Sequence, residues 1–282
     1  MNISVCAAAL QMTSIDNIDR NLEQADQLLN AAQQAGAELA VLPEYFGWIS
    51  ARDTDKLQFA ENEGHGRVQD FLKLAAQRYQ LWIVGGTLPI HSPTTNKVYN
   101  RCIVVNPQGE IVTHYDKIHL FGLNNGEEKF CESNTIEAGN TPVSAPTPWG
   151  NLGLSICYDL RFPELFRALL PFNILALPAA FTFTTGSAHW NTLLRARAIE
   201  NQCYVIASAQ TGTHPGNRKT FGHSQIIDPW GNILACEPEK IGIVTATLNL
   251  QKNQEVQNLL PALQHRRFDI FSTRLKDAFH NE

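Results

Sequence analysis

Short, wholly apolar runs alternate with segments of helical period from one end of this chain to the other. That rhythm limits the fold more than any single residue does. Runs such as Leu39-Ala40-Val41-Leu42 have no polar face, so a strand built from them must be covered on both sides. Strands are expected over Ser4–Gln11, Leu39–Pro43, Leu81–Thr87, Tyr99–Asn106 and Ile111–Tyr115 in the first half. The second half offers Asn173–Pro178, Tyr204–Gln210, Gly222–Asp228, Ile233–Glu237 and Ile243–Leu248. Helices are expected over Asn17–Ala35, Val68–Tyr79, Pro163–Leu170 and Ala188–Asn201, with a last helix and a tail at the C-terminus. Helices interleaved with buried strands imply a layered α/β architecture. Two turns of near-equal form, Asn106-Pro107-Gln108-Gly109 and Asp228-Pro229-Trp230-Gly231, each close a strand–helix series. They suggest two related halves, each forming a sheet. No linker-like stretch interrupts the chain, which predicts one domain over residues 1–282, with a core over about 4–271. Gly122–Ser144 is the longest segment without a clear pattern and is expected to be a functional loop.

The 282 residues carry a net charge of −5 and no long basic run, which argues against a nucleic acid or an anionic membrane as partner. The N-terminus lacks a basic region ahead of its apolar residues and reads as a first strand rather than a signal peptide. No apolar stretch is long enough to span a bilayer, so a soluble protein is expected. Six cysteines stand singly, without a CxxC pair, which favours reduced thiols and a cytoplasmic location. The nine histidines are equally dispersed, so no metal site is expected.

Three segments carry candidate chemistry. In Leu152-Gly153-Leu154-Ser155-Ile156-Cys157, a buried run ends on a thiol, and Pro163 then sits at a first helical turn. A strand, a sharp turn and a helix would lift Cys157 out of the sheet, and the helix N-terminus would favour its thiolate. A buried cysteine can equally be a small hydrophobe. Glu44 follows Leu42-Pro43 at the exit of a strand, where α/β proteins place their sites, although it could simply be a solvated acid starting a helix. Lys117, in Tyr115-Asp116-Lys117-Ile118-His119-Leu120, is either a snorkelling surface residue or, if buried beside a carboxylate, a fixed cation for an oxyanion. Together they offer a nucleophile, a base and an oxyanion clamp.

These three segments, in this order, resemble the nitrilase (carbon–nitrogen hydrolase) superfamily across about Ser4 to Phe271. Further stretches are similar to its branch acting on deaminated glutathione. They are Thr185-Gly186-Ser187-Ala188-His189-Trp190, Leu194–Val205, Phe221-Gly222-His223-Ser224 and Leu260–Arg267. The resemblance implies an αββα sandwich of two central sheets flanked by helices, pairing into a homodimer. It implies no cofactor, a Glu44–Lys117–Cys157 triad, and a second glutamate after the lysine. Glu132 is placed in that role, with Glu127 and Glu128 as competitors. The Gly122-Leu123-Asn124-Asn125-Gly126 stretch departs from the family pattern, which leaves the pocket shape open.

The implied reaction is hydrolysis of a linear small-molecule amide through a thioester. Glu44 takes the thiol proton, and Lys117 with the backbone N–H of Tyr158 holds the oxyanion. Arg161 is the first candidate for a substrate carboxylate, unless it pairs with Glu164 instead. Of Arg195 and Arg197, at most one should reach the site. Thr184, Thr185 and His189 are expected on a loop lining the wall opposite Glu44. A papain-like pairing of Cys157 with His189 or His223 is disfavoured because Glu44 already supplies a base. The rival readings are an ω-amidase acting on 2-oxoglutaramate, an N-carbamoyl amino-acid hydrolase, and a non-catalytic binding protein on the same scaffold.

Overall fold

The structure, a computed structural model, describes residues 4–124, 126 and 129–267. Two sheets face each other. The first runs in the order Gly242–Asn249, Ser4–Gln11, Leu39–Val41, Trp82–Val84, Val98–Val105, Leu88–His91, and Ile111–Asp116 also pairs with Val98–Val105. The second runs Ile233–Glu237, Ser224–Ile227, Tyr204–Ala209, Ile174–Ala179, Gly150–Leu154, Ser144–Thr147. Each sheet has three parallel strands at its centre and antiparallel neighbours outside them. The described helices are α1 (Ile18–Gln34), α2 (Arg67–Tyr79), α3 (Pro163–Leu169), α4 (Phe183–Asn201) and α5 (Gln251–Leu259).

Period-2 alternation divides the first sheet between two cores. Ala8, Leu10, Met12, Ala40 and Leu42 pack with Leu22, Ala25 and Leu29 of α1 and with Leu72, Ala75 and Ala76 of α2. The alternate residues Ala7, Ala9, Leu39 and Val41 face the second sheet and pack with Leu152, Leu154, Leu177 and Ile206. On the far side of that sheet, α4 presents Trp190, Leu194 and Ala198. The result is the expected αββα sandwich. The hairpins at Asn106–Gly109 and Asp228–Gly231 close corresponding edges of the two sheets, as expected for related halves.

Several elements differ from expectation. α4 begins at Phe183 rather than Ala188, because the Thr182 hydroxyl accepts the Thr185 N–H at 3.4 Å and caps the helix. Thr184, Thr185 and His189 therefore lie on a helix, not a loop. The Thr/Gly/Ser content of that first turn has low helix propensity and concealed the start. The Gly122–Ser144 segment contains a two-stranded ribbon, Gly122–Asn124 with Lys129–Cys131, followed by a 3₁₀ turn at Glu132–Asn134. A further ribbon, Thr211–Thr213 with Lys219–Phe221, sits beside the site and was not anticipated. Residues 268–282 lie outside the described residues, so the tail and the last part of the expected core do too.

Two glycines let the chain pass close behind the strand exits. A Cβ on Gly86, at φ +53°, would fall 2.2 Å from the Pro43 carbonyl oxygen, next to Glu44. One on Gly139 would fall 2.2 Å from the Asp116 carbonyl oxygen, next to Lys117. Gly86→Ala combines a left-handed backbone with overpacking, so it should destabilise the fold by about 2 kcal/mol or more. Denaturant unfolding should show a lower midpoint with an unchanged slope, and an unchanged midpoint would mean that the Pro43 segment relaxes freely.

Candidate active site

Strand ends from both sheets converge on one cleft, as the topology of parallel sheets favours. Glu44 leaves Leu39–Val41, Lys117 leaves Ile111–Asp116, and Cys157 follows Gly150–Leu154. Lys117 is fully buried, and its Nζ lies 2.8 Å from Glu44 Oε1 and 2.8 Å from Glu132 Oε2. The other lone pairs of these carboxylates are also engaged. Asn100 Nδ2 donates to Glu44 Oε1 at 2.8 Å, and the Ala180 N–H donates to Oε2 at 2.9 Å. Glu132 accepts from Tyr45 Oη at 2.9 Å and from the Phe121 N–H at 2.7 Å. Gln210, from the second sheet, donates to the Glu44 carbonyl at 3.0 Å. Glu127 and Glu128 lie outside the described residues. Among the described residues, Glu132 is the glutamate after Lys117 that reaches it.

Burial opposes the charge on Lys117, yet Glu132 and Glu44 outweigh it and raise the ammonium pKa. Burial likewise pushes Glu132 up, and the Lys117 charge with its hydrogen bonds brings it below the ordinary value. Cys157 behaves differently from the sequence expectation. Burial and then the Glu44 charge push its thiol well above the usual value, and Lys117 only partly opposes them. The residues after Cys157 form a 3₁₀ turn through Arg161, and α3 starts only at Pro163, so no helix stabilises a resting thiolate.

Cys157 has φ +49°, a conformation that a residue bearing a Cβ holds only when its surroundings impose it. Asp159 is what imposes it here. Its fully buried carboxylate accepts from the Ile156 N–H at 2.9 Å, from Tyr115 Oη at 2.8 Å and from the His119 N–H at 3.0 Å. His119 Nδ1 is a further 2.7 Å contact. One carboxylate thus ties the cysteine turn to the segment on either side of Lys117.

The cleft encloses about 270 Å³, part of it open to solvent. Beside Glu44, Glu132 and Cys157, its wall includes Phe121, Tyr158, Arg161, Thr182, Thr185 and Arg218. Tyr158, Arg161 and Thr185 therefore stand where the sequence placed them. Thr184 is exposed and does not line the cleft, and the buried Thr182 stands there instead. His189 is exposed and meets Arg161 Nη1 through Nδ1 at 3.3 Å, so Arg161 turns toward it rather than toward Glu164. Arg195 bonds the Gly231 carbonyl at 2.9 Å, and Arg197 pairs with Glu200 at 2.6 Å, so neither joins the site. His223 stacks on Phe221 and is not among the residues that line the cleft. Arg218 was missed because a lone arginine after Pro215-Gly216-Asn217 carries no pattern until the ribbon brings it to the cleft.

This fold and this cleft define a hydrolase of carbon–nitrogen bonds. The carbon-nitrogen hydrolase family model matches residues 6–258, and the chain belongs to that family. Among curated relatives, the deaminated glutathione amidase of Synechocystis is 46% identical over 268 residues, 93% of this chain and 98% of the relative. The human deaminated glutathione amidase is 39% identical over 273 residues, covering 94% of this chain and 83% of that protein. The crystal structure of the Caenorhabditis elegans NitFhit protein superposes with a TM-score of 0.88 at 35% identity. That match covers 95% of this chain and 66% of the longer NitFhit chain. Saccharomyces cerevisiae Nit3, a member of branch 10 of the nitrilase superfamily, superposes at 0.85 with 29% identity, covering 94% of this chain and 97% of Nit3.

The electrostatics set an unusual expectation for Glu44→Gln. Removing that charge removes a cause that raises the Cys157 pKa, so the thiolate should form at lower pH than in the wild type. Thiolate absorbance, read as the difference from Cys157→Ala across a pH titration, should shift toward acid. A shift toward alkali would mean that Glu44 does not act on the thiol.

Proposed function

We propose that this chain is an amidase that cleaves deaminated glutathione to 2-oxoglutarate and cysteinylglycine, with Cys157 as nucleophile. The observation that carries the proposal is the buried Lys117 ammonium held between Glu44 and Glu132 in the cleft that Cys157 lines. A thiol kept neutral by burial cannot attack an amide unaided, and the action of the Glu44 carboxylate on Cys157 supports Glu44 as the base it needs. Glu44 takes the thiol proton as sulfur attacks the amide carbon. The Lys117 ammonium and the Tyr158 N–H hold the developing oxyanion. Glu44 returns the proton to the leaving nitrogen, the amine departs, and a thioester remains. Glu44 then activates water to release the acid. Glu132 positions Lys117 and keeps it charged throughout. Arg161 and Thr185 suit the carboxylate of the α-keto acid head.

The names of the relatives support deaminated glutathione over the smaller 2-oxoglutaramate, and the outer part of the cleft leaves space for a dipeptide leaving group. All six cysteines are free, which supports a reducing, cytoplasmic setting, and no described helix is long and apolar enough to cross a membrane. Homodimerisation is supported by apolar side chains left exposed near the C-terminal part of α4, namely Ile199, Trp230, Ile233 and Leu234. Light scattering at micromolar concentration should give twice the chain mass, and a monomer would remove that element of the proposal.

Cys157→Ala should lower turnover of deaminated glutathione by at least a hundredfold while leaving the unfolding midpoint close to wild type. Wild type quenched during turnover should carry an acyl adduct on the peptide containing Cys157. An adduct on Cys131, or substantial activity in the alanine variant, would overturn the assignment. Higher kcat/KM for 2-oxoglutaramate than for deaminated glutathione would move the substrate to the ω-amidase reading.

A further inference from the structure

A second hollow opens outside the reaction cleft and shares Phe121, Glu132 and Arg218 with it. It is larger, about 1320 Å³ including space open to solvent, and its remaining wall includes Ser50, Asp53, Phe130, Cys131 and Asn134. We propose that this groove is the subsite for the leaving group of the amide, and that Arg218 at its inner end binds a carboxylate on that leaving group. The inference rests on the amidase reading above and adds to it a second anion site.

The charges in the groove point to Arg218. Asp53 is satisfied by Lys56 at 2.6 Å and by the Thr135 hydroxyl at 3.0 Å. Glu132 is held by Lys117. Arg218, by contrast, forms no ion pair among the described residues, and its buried Nε has no hydrogen-bond partner among them. A buried guanidinium N–H without an acceptor is costly and calls for an explanation. The guanidinium carbon stands 5.4 Å from the centre of the Phe130 ring, a contact that holds the side chain in the groove wall.

The backbone also holds Arg218 in place. The His214 N–H donates to the Arg218 carbonyl at 2.8 Å, and the ribbon Thr211–Thr213 with Lys219–Phe221 continues from this turn. At the tip of the turn, Gly216 adopts φ +75° and packs against Ala51, where an added Cβ would lie 3.1 Å from the Ala51 Cα. Arg218 is therefore presented by a braced hairpin.

The two arginines of the cleft differ in position. Arg161 lines the reaction cleft alone, whereas Arg218 lines both hollows. An acyl group carrying one carboxylate would lie toward Arg161, and the nitrogen side would leave past Phe121 toward Arg218. A substrate with an anion at each end would then be held across the reacting carbon, which orients the amide for attack.

The test compares deaminated glutathione with the same compound amidated at its glycine carboxylate, on purified full-length protein. Wild type should prefer the free acid by tenfold or more in kcat/KM, mainly through KM. Arg218→Gln should bring that ratio toward one, and Arg218→Lys should keep part of it. Arg161→Gln, acting on the shared acyl end, should weaken both compounds and preserve the ratio. Hydrolysis of both compounds by wild type with equal efficiency would overturn the subsite while leaving the amidase reading intact. So would a ratio unchanged in Arg218→Gln. Failure of wild type to cleave either compound would overturn both.

Discussion

An ammonium with no access to water governs this structure. Taking a lysine out of solvent costs several kcal/mol after relaxation, and a single partner seldom offsets that cost. Lys117 has two carboxylates at 2.8 Å, and each of them is completed by further donors: Asn100, the Ala180 N–H, Tyr45 and the Phe121 N–H. These donors come from loops and strands of both sheets. Lys117 is the cation both carboxylates share, so removing it would leave two buried carboxylates without a counter-charge.

The same enclosure acts on the Cys157 thiol. In an open site, a thiol beside a lysine would ionise readily. Here burial and the Glu44 charge win over Lys117, and Cys157 stays protonated. Such a thiol is poorly exposed to adventitious oxidation, since oxidants react with the thiolate.

Much of this was legible in the chain itself. Continuous apolar runs marked the central strands, and segments such as Leu42-Pro43-Glu44 and Ile156-Cys157-Tyr158 placed chemistry at their exits. Glu132, named after the lysine, makes a contact with Lys117. What the sequence concealed has physical causes. The start of α4 is encoded by a cap at Thr182 and not by propensity, so Thr182 was passed over and Thr184 was chosen. The thiol's protonation depends on how completely Glu44 and the sheets enclose it, and local helix position gives no measure of that. Arg218 depends on a ribbon of two three-residue strands, too short to leave a periodic trace.

Asp159 joins the cysteine turn of the second sheet to Tyr115 and His119 around the lysine of the first. Glu44, Lys117 and Glu132 all issue from the first half of the chain, and Cys157, Ala180 and Arg218 from the second. Neither half assembles the cluster by itself: one carries the lysine and its carboxylates without the thiol, the other the thiol without them. A half-sandwich released by proteolysis would therefore lack one side of this cluster. The cleft exists only at the seam where the two sheets meet.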